Sequence, residues 1–188
     1  MLNTFYDKFI FTNGLKFRHN NFFLINLPFL IMPVEILSSV LASEDADFHK
    51  KIYSIAKESV KSSLVKDMSL EFGFKGERMI NFLRDYFSAS GWGTIQIIDL
   101  KTEKAEAIVL VNDNPFVPFL KEPAKKPIDS LFRGIFAGAF SRAFEKDVEC
   151  VETHCLANGG KGCEFMIKPL HDFDLENKNV RGQLPIEP

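Results

Sequence analysis

The sequence predicts an α+β fold: an antiparallel sheet of about four strands with helices packed on one face, preceded by an N-terminal β-hairpin. Three observations carry this. Extended, turn-bounded segments open the chain, segments of helical period fill its middle, and Ile/Val-rich segments with hairpin-length links return in its second half. No glycine-rich loop follows a strand and opens a helix, so a doubly wound nucleotide-binding fold is not indicated.

The elements follow in order. Phe9, Phe11, Leu15 and Phe17 alternate around Asn13-Gly14, a dipeptide that readily supplies the positive φ angles of a two-residue hairpin turn. After a polar break at Asn20-Asn21, Phe22 to Met32 reads as extended chain, and Pro33 suits the first position of a helix running to about Ala42. From Asp47 to about Lys66, Phe48, Ile52, Ile55, Ala56, Val60 and Leu64 recur at helical spacing, with Asp45 or Asp47 as the cap. A second such helix spans Lys75 to Ser88, with Met79, Phe82, Leu83, Tyr86 and Phe87 on one face and Gly91 at its end.

The period then changes. Gly93 to Leu100 and Ala105 to Val111 read as two antiparallel strands, and the proline-rich run Asn112 to Pro127 reads as a surface loop or a lid. Ile128 to about Phe144 forms the clearest helix, with Gly134 and Gly138 one turn apart. Each glycine costs up to about 1 kcal/mol against alanine inside a helix, so close packing against another element is expected there. Val148 to Thr153 and Cys163 to Pro169 are strands joined by a glycine-rich loop. Beyond His171 the chain is polar and expected to fray. Residues 1–32 therefore read as an N-terminal hairpin extension, 33–172 as the main domain and 173–188 as a polar C-terminal tail.

Composition narrows the function classes. With 46% apolar residues, 26% charged residues and a net charge of -2, the chain has neither a basic nucleic-acid surface nor a disordered acidic tail. Its 20 Phe stand against one Trp and three Tyr, so most aromatic surface lacks a polar handle: either the core is phenylalanine-rich or a cavity is lined with Phe. Three cysteines make no disulfide framework, which points to the reducing cytoplasm. The run Phe22 to Leu37 is broken by Asn26, Pro28, Pro33 and Glu35 and is too short to span a membrane.

Chemistry concentrates between Val148 and Pro169, which holds all three cysteines together with Glu152 and His154. Cys155 and Cys163 bracket a loop containing Gly159, Gly160 and Gly162, which lets two sulfurs approach one point. Two thiolates with a carboxylate or imidazole suit zinc. On a regular strand Cys150, Glu152 and His154 face one way and Cys155 the other, so this ligand set requires the strand to end or bulge near Thr153. The alternatives are buried cysteines acting as small hydrophobes, a disulfide between Cys155 and Cys163, and His154 as a solvated strand-end residue.

Arg133-Gly134-Ile135-Phe136-Ala137-Gly138, then Val151-Glu152-Thr153-His154-Cys155, then Gly159 to Cys163-Glu164-Phe165, resemble the C-terminal signature of the 4-vinyl reductase domain family, and Gly91-Trp92-Gly93 is also similar. The resemblance covers the last two thirds of the chain. It implies a small-molecule-binding fold, found in bacteriochlorophyll-biosynthesis proteins and in the sensor domains of aromatic-hydrocarbon-responsive transcription activators, and shared with TRAPP vesicle-tethering subunits. It further implies a structural zinc held by Glu152, Cys155 and Cys163. The remaining ligand position falls on Asp129, a departure from the cysteine found there in sensor members. Asp129 directly before a helical run is also an ordinary helix N-cap, the role its position favours, which leaves His154 or a water to complete the shell, or the site empty.

The expected function is a sensor or carrier domain for an apolar ligand, aromatic, lipid or tetrapyrrole-like, lined by Phe87, Trp92, Phe132, Phe136 and Phe140. A reductase or auxiliary protein acting on tetrapyrrole vinyl groups is the enzymatic alternative. It finds little support in the residues: there is no dinucleotide fingerprint or cluster-sized cysteine set, and His49, His154 and His171 are scattered. A dimeric assembly adaptor is the third reading, and a homodimer is expected in any case.

Overall fold

The structure is a computed structural model that describes residues 15–24, 27–120, 124 and 127–186, with 66–68 and 71 described by backbone alone. The turn expected at Asn13-Gly14 lies outside these residues. β1 (Leu15–Arg18) returns as β2 (Asn21–Leu24) through His19 and Asn20, whose φ angles of 49° and 62° make the primed turn that a two-residue hairpin needs. The polar break near residue 20 is thus itself a hairpin turn. β3 (Leu27–Phe29) pairs with the far side of β2, giving a three-stranded antiparallel sheet.

Pro33 leads into α1 (Val34–Leu41). Asp45 then caps α2 (Ala46–Ser59), its carboxylate accepting from the N–H groups of Asp47 and Phe48 at 2.9 and 3.2 Å. The helix continues through a π-helical segment, Val60–Leu64, into α3 (Val65–Phe72) and ends at Gly73, whose φ of 67° is left-handed. After α4 (Gly76–Ala89) come β4 (Thr94–Lys101), β5 (Glu106–Asn112), α5 (Ser130–Phe144), β6 (Glu149–His154), β7 (Cys163–Lys168) and α6 (Lys178–Gln183). The second sheet is antiparallel in the order β4-β5-β7-β6. Among the described residues no helix is long and apolar enough to cross a membrane.

The layers follow from side-chain parity. Ala107, Val109 and Val111 of β5 lie opposite Ile167, Phe165 and Cys163 of β7, and all six are buried, so one face of the sheet is the floor of the core. α4 and α5 pack on that floor and α2 packs on α5. α5 is buried on nearly every side, more than the single apolar stripe read from its sequence.

Its two glycines explain how. A Cβ on Gly134 would lie 2.5 Å from the Tyr53 carbonyl oxygen and 2.6 Å from the Ala56 Cβ, and one on Gly138 would lie 2.4 Å from the Lys57 carbonyl oxygen. The expected close packing is present: α2 and α5 meet backbone to backbone. This contact also selects which face of α2 turns inward. Tyr53, Ala56, Lys57 and Val60 are buried, whereas Ile55, placed on the apolar face by its spacing, is 55% exposed. Lys57 tolerates burial because its ammonium reaches Asp147 at 3.0 Å and Glu149 at 2.7 Å, and Glu149 also accepts from the Tyr53 hydroxyl.

The C-terminal segment departs from expectation. It does not fray through its described part: Phe173, Gln183 and Leu184 are buried. Leu184 supplies the apolar anchor that its polar neighbours hide from a composition-based reading, and Gln183 completes hydrogen bonds to the edge strand β6.

Candidate functional site

Glu152, Cys155 and Cys163 meet because β6 bulges. Glu152 pairs with Phe165 but His154 pairs with Glu164, so Thr153 is the extra residue. The insertion shifts side-chain parity by one, which brings Cys155 onto the inner face beside Glu152 and Cys163 and turns His154 outward. The imidazole is 70% exposed and pairs with Glu164 at 3.2 Å, so His154 does not join the cluster. The loop that follows closes through Gly160 N–H donating to the Cys155 carbonyl at 2.9 Å, and a Cβ on Gly160 would sit 2.7 Å from that oxygen.

Asp129 is the fourth member. It occupies the N-cap position of α5 but its side chain caps nothing. The carboxylate instead accepts from Asn114 Nδ2 at 2.9 Å on each oxygen and faces the Cys155 sulfur at 3.9 Å. One ligand-type atom from each of Asp129, Glu152, Cys155 and Cys163 lies within 4.8 Å of the others, and all four residues are buried. The cysteines are free thiols.

Two further residues frame this cluster. Asn114, 1% exposed, donates from the same Nδ2 to the Cys163 sulfur at 3.3 Å, where the Leu156 N–H also donates at 3.3 Å. Gln183 clamps Glu152 from the C-terminal side: the Glu152 N–H donates to Gln183 Oε1 at 2.9 Å, and Gln183 Nε2 donates to the Glu152 carbonyl at 2.9 Å. Sequence reasoning missed both. Neither carries a spacing signal, since each comes from a segment read as a loop or a tail.

Four acidic groups crowded in a dry pocket cannot all ionise. Burial holds the Glu152 carboxyl well above its usual range, and the charge of Asp129 and the thiol of Cys155 add to the effect. A hydrogen bond with Cys163 brings the Cys155 thiol down to about 6, while the same bond and burial push Cys163 up. Glu152 Oε1 is buried with no hydrogen-bond partner.

This donor set fits a divalent metal: a cation would satisfy the orphaned oxygen and supply the missing positive charge. Zinc–sulfur bonds of about 2.3 Å and zinc–oxygen bonds of about 2.0 Å give tetrahedral edges of about 3.3–3.8 Å, so the four atoms, all within 4.8 Å of one another, would draw together by about 1.5 Å at most.

The five aromatic residues expected to line a pocket divide into two groups. Phe87, Phe136 and Phe140 wall an apolar seam between α4, α5 and strands β4 and β5, together with Ile80, Leu83, Ile95, Ile97, Val109, Ile135 and Ala139 and with Arg84 at its edge. The void left in the seam is about 20 Å³. Trp92 and Phe132 belong instead to a packed ring cluster. Their centroids are 5.5 Å apart at 89°, Phe116 lies edge-on to both, and Phe165 adjoins Phe132 at 6.0 Å. Phe136 bridges the two groups through Phe165 at 5.1 Å.

Residues 109–169, from β5 through the bulged hairpin, match the family model of the 4-vinyl reductase domain. Over that stretch the chain is similar to the 4-vinyl reductase domain. The resemblance read from the sequence is therefore shown, and the match contains Asp129, Glu152, Cys155 and Cys163. No curated protein matches the chain.

Two solved structures share the fold at low identity, and a third is similar. The phenol-responsive sensory domain of the transcription activator PoxR, solved with phenol, has a TM-score of 0.72 at 15% identity, covering 99% of this chain and 100% of that one. The likeness thus extends to the N-terminal segment that the sequence resemblance left aside. A trafficking protein particle complex subunit 3 from Naegleria fowleri, covalently bound to palmitic acid, has a TM-score of 0.52 at 14% identity, covering 72% and 93%. A vinyl-4-reductase family protein from Methanocaldococcus jannaschii has a TM-score of 0.45 at 16% identity, covering 74% and 83%.

Proposed function

We propose that this chain is a small-molecule-binding module of the sensor or carrier type, whose α4–α5–sheet seam takes an apolar, aromatic-sized ligand. The observation that carries this reading is the seam itself: a surface of aliphatic and aromatic side chains that meets imperfectly and leaves an apolar void of about 20 Å³. A cavity of about 150 Å³ lined by such residues holds benzene, so the seam must open by rotation of Phe87, Phe136 and Phe140 to admit a ring. Ligand entry is then coupled to movement of α4 against α5, which gives a binding event a structural consequence. The phenol-bound neighbour of the same fold supports this ligand class.

The same proposal gives Asp129, Glu152, Cys155 and Cys163 a zinc ion. Bound there, zinc would cross-link the start of α5 to the β6–β7 hairpin. Asn114 would hold Asp129 and Cys163 in position, and the orphaned Glu152 oxygen is the support for this. The role is structural: the metal fixes the helix that walls the seam. Homodimerisation also belongs to this reading. Leu15, Phe17, Leu30, Ile31, Ile36 and Val40 are exposed apolar residues on the N-terminal sheet, α1 and the link between them, and sedimentation analysis would reveal a monomer if they bury nothing.

Native mass spectrometry of protein purified from cells, followed by thermal-shift measurements with phenol, benzene and a medium-chain fatty acid, tests the ligand. A co-purifying small molecule or a ligand-dependent rise in Tm is expected. An empty protein indifferent to all three probes refutes the reading.

A further inference from the structure

The chain has a second cavity at the other end of α4, of about 410 Å³, between the π-helical segment and α3, the first turn of α4 and the C-terminal end of α5. That volume is within the range of small-ligand sites. We propose that this cleft binds an organic phosphate, a phosphomonoester dianion carrying a small apolar body.

The charge around the cleft selects the ligand. Lys57 and Lys61 are balanced by Asp147 and Glu149, with Lys61 on Asp147 at 2.6 Å, so this group is neutral as a whole. Among the described residues, Lys75, Arg142 and Lys146 remain in the lining against Glu145: three positive charges less one negative leave +2. Among the described residues none of the three cations has an ion-pair partner. A phosphomonoester near neutral pH carries about −1.5 to −2, which matches this excess, and a guanidinium presents the planar fork that phosphate oxygens accept from.

Backbone groups act in the same direction. The first turn of α4 has no side-chain cap, so its N–H groups and the positive end of the helix dipole are available to an entering anion. Glu77, the acidic residue of that turn, does not line the cleft. At the C-terminal end of α5 the Ser141 and Arg142 carbonyls, which would repel an anion, already accept from Lys146 and Glu145 N–H groups. The floor is apolar: Val65 and Met79 are almost fully buried, and Phe74 and Ala143 complete it. A charged head at the rim and an apolar body on this floor would satisfy both halves of the cleft. A polyanion fits less well, because the site is concave and the chain carries a net charge of -2.

The test is calorimetric titration of the full chain with phenyl phosphate, inorganic phosphate and phenol. Phenyl phosphate should bind more tightly than inorganic phosphate, with an affinity that falls as salt is raised. Arg142→Glu and Lys146→Glu should each weaken it by about tenfold or more while leaving phenol binding unchanged. Absence of phenyl phosphate binding at millimolar concentration, or binding that both reversals leave intact, would overturn the proposal. Binding to vesicles of phosphatidic acid in phosphatidylcholine without binding of phenyl phosphate would overturn the soluble ligand and assign the phosphate group to a lipid. The seam reading is independent: phenol binding survives failure of this proposal, and phosphate binding survives failure of the seam.

Discussion

Truncation of Phe136 to alanine separates a ligand seam from an ordinary core. The ring is 5% exposed, walls the seam and touches Phe132 and Phe165. Removing it adds about 100 Å³ of empty space, which at about 24 cal/mol per Å³ costs about 2.4 kcal/mol, and lost transfer energy brings the total to about 4 kcal/mol. In a chain of this length that is a fall in Tm of about 8–16 °C.

The enlarged void, the existing 20 Å³ plus the vacated ring, approaches the size that holds benzene. Benzene or phenol at tenfold its Kd should therefore restore about 1.4 kcal/mol, a rise of about 3–6 °C, and should bind Phe136→Ala more tightly than the parent. Differential scanning calorimetry across a ligand series reads both effects. A variant destabilised as predicted but indifferent to either ring would show that the vacated space collapses, and the opening mechanism would fail with it.

The other outcomes follow from the cluster and the helix contact. Purified protein should contain about one equivalent of zinc by elemental analysis, and Cys163→Ser should hold less than half of that; full occupancy in the variant would remove Cys163 from the site. In chelator the raised Glu152 carboxyl binds its proton more tightly folded than unfolded. Its contribution to stability is complete below about pH 4.5 and is lost as pH rises through the folded value. Between about pH 4.5 and 6, before Cys155 releases its proton, Glu152 therefore lowers the stability of metal-free protein as pH rises. Zinc should reverse that slope because its ligands bind deprotonated; parallel melting curves with and without metal would contradict the assignment. Gly138→Ala places a methyl 2.4 Å from the Lys57 carbonyl, and overpacking should outweigh the gain in helix propensity, lowering Tm by about 2–8 °C; a rise in Tm would deny the backbone contact. Gln183→Ala should cost about 1–3 kcal/mol and speed hydrogen exchange at the Glu152 amide, and unchanged exchange there would deny the clamp.

The sequence shows most of this fold because its signals are local. Helical spacing marks α4 and α5, alternation marks β4, β5 and β7, and the Gly134/Gly138 pair announces a close helix contact before its partner is known. The partner was hidden, since the inward face of α2 includes Lys57, whose burial depends on Asp147 and Glu149, some 90 residues away in sequence. At the cluster, Glu152, Cys155 and Cys163 were readable from one hairpin, and the parity conflict between them foretold the bulge at Thr153. Asp129 was ambiguous because an N-cap and a ligand share the same position; only the tertiary path of Asn114 turns its carboxylate inward. Asn114 and Gln183 leave no mark in sequence because each acts on the cluster through hydrogen bonds to residues distant in the chain.

The most direct test of the ligand-binding account is methyl NMR of the zinc-supplemented protein titrated with phenol. The Ile80, Leu83, Ile95, Ile97, Val109 and Ile135 methyls line the seam. Saturable shifts at these methyls, with Ile55 and Leu70 on the surface unmoved, are predicted. Seam methyls that stay fixed at saturating phenol, or shifts confined to the surface, would contradict it.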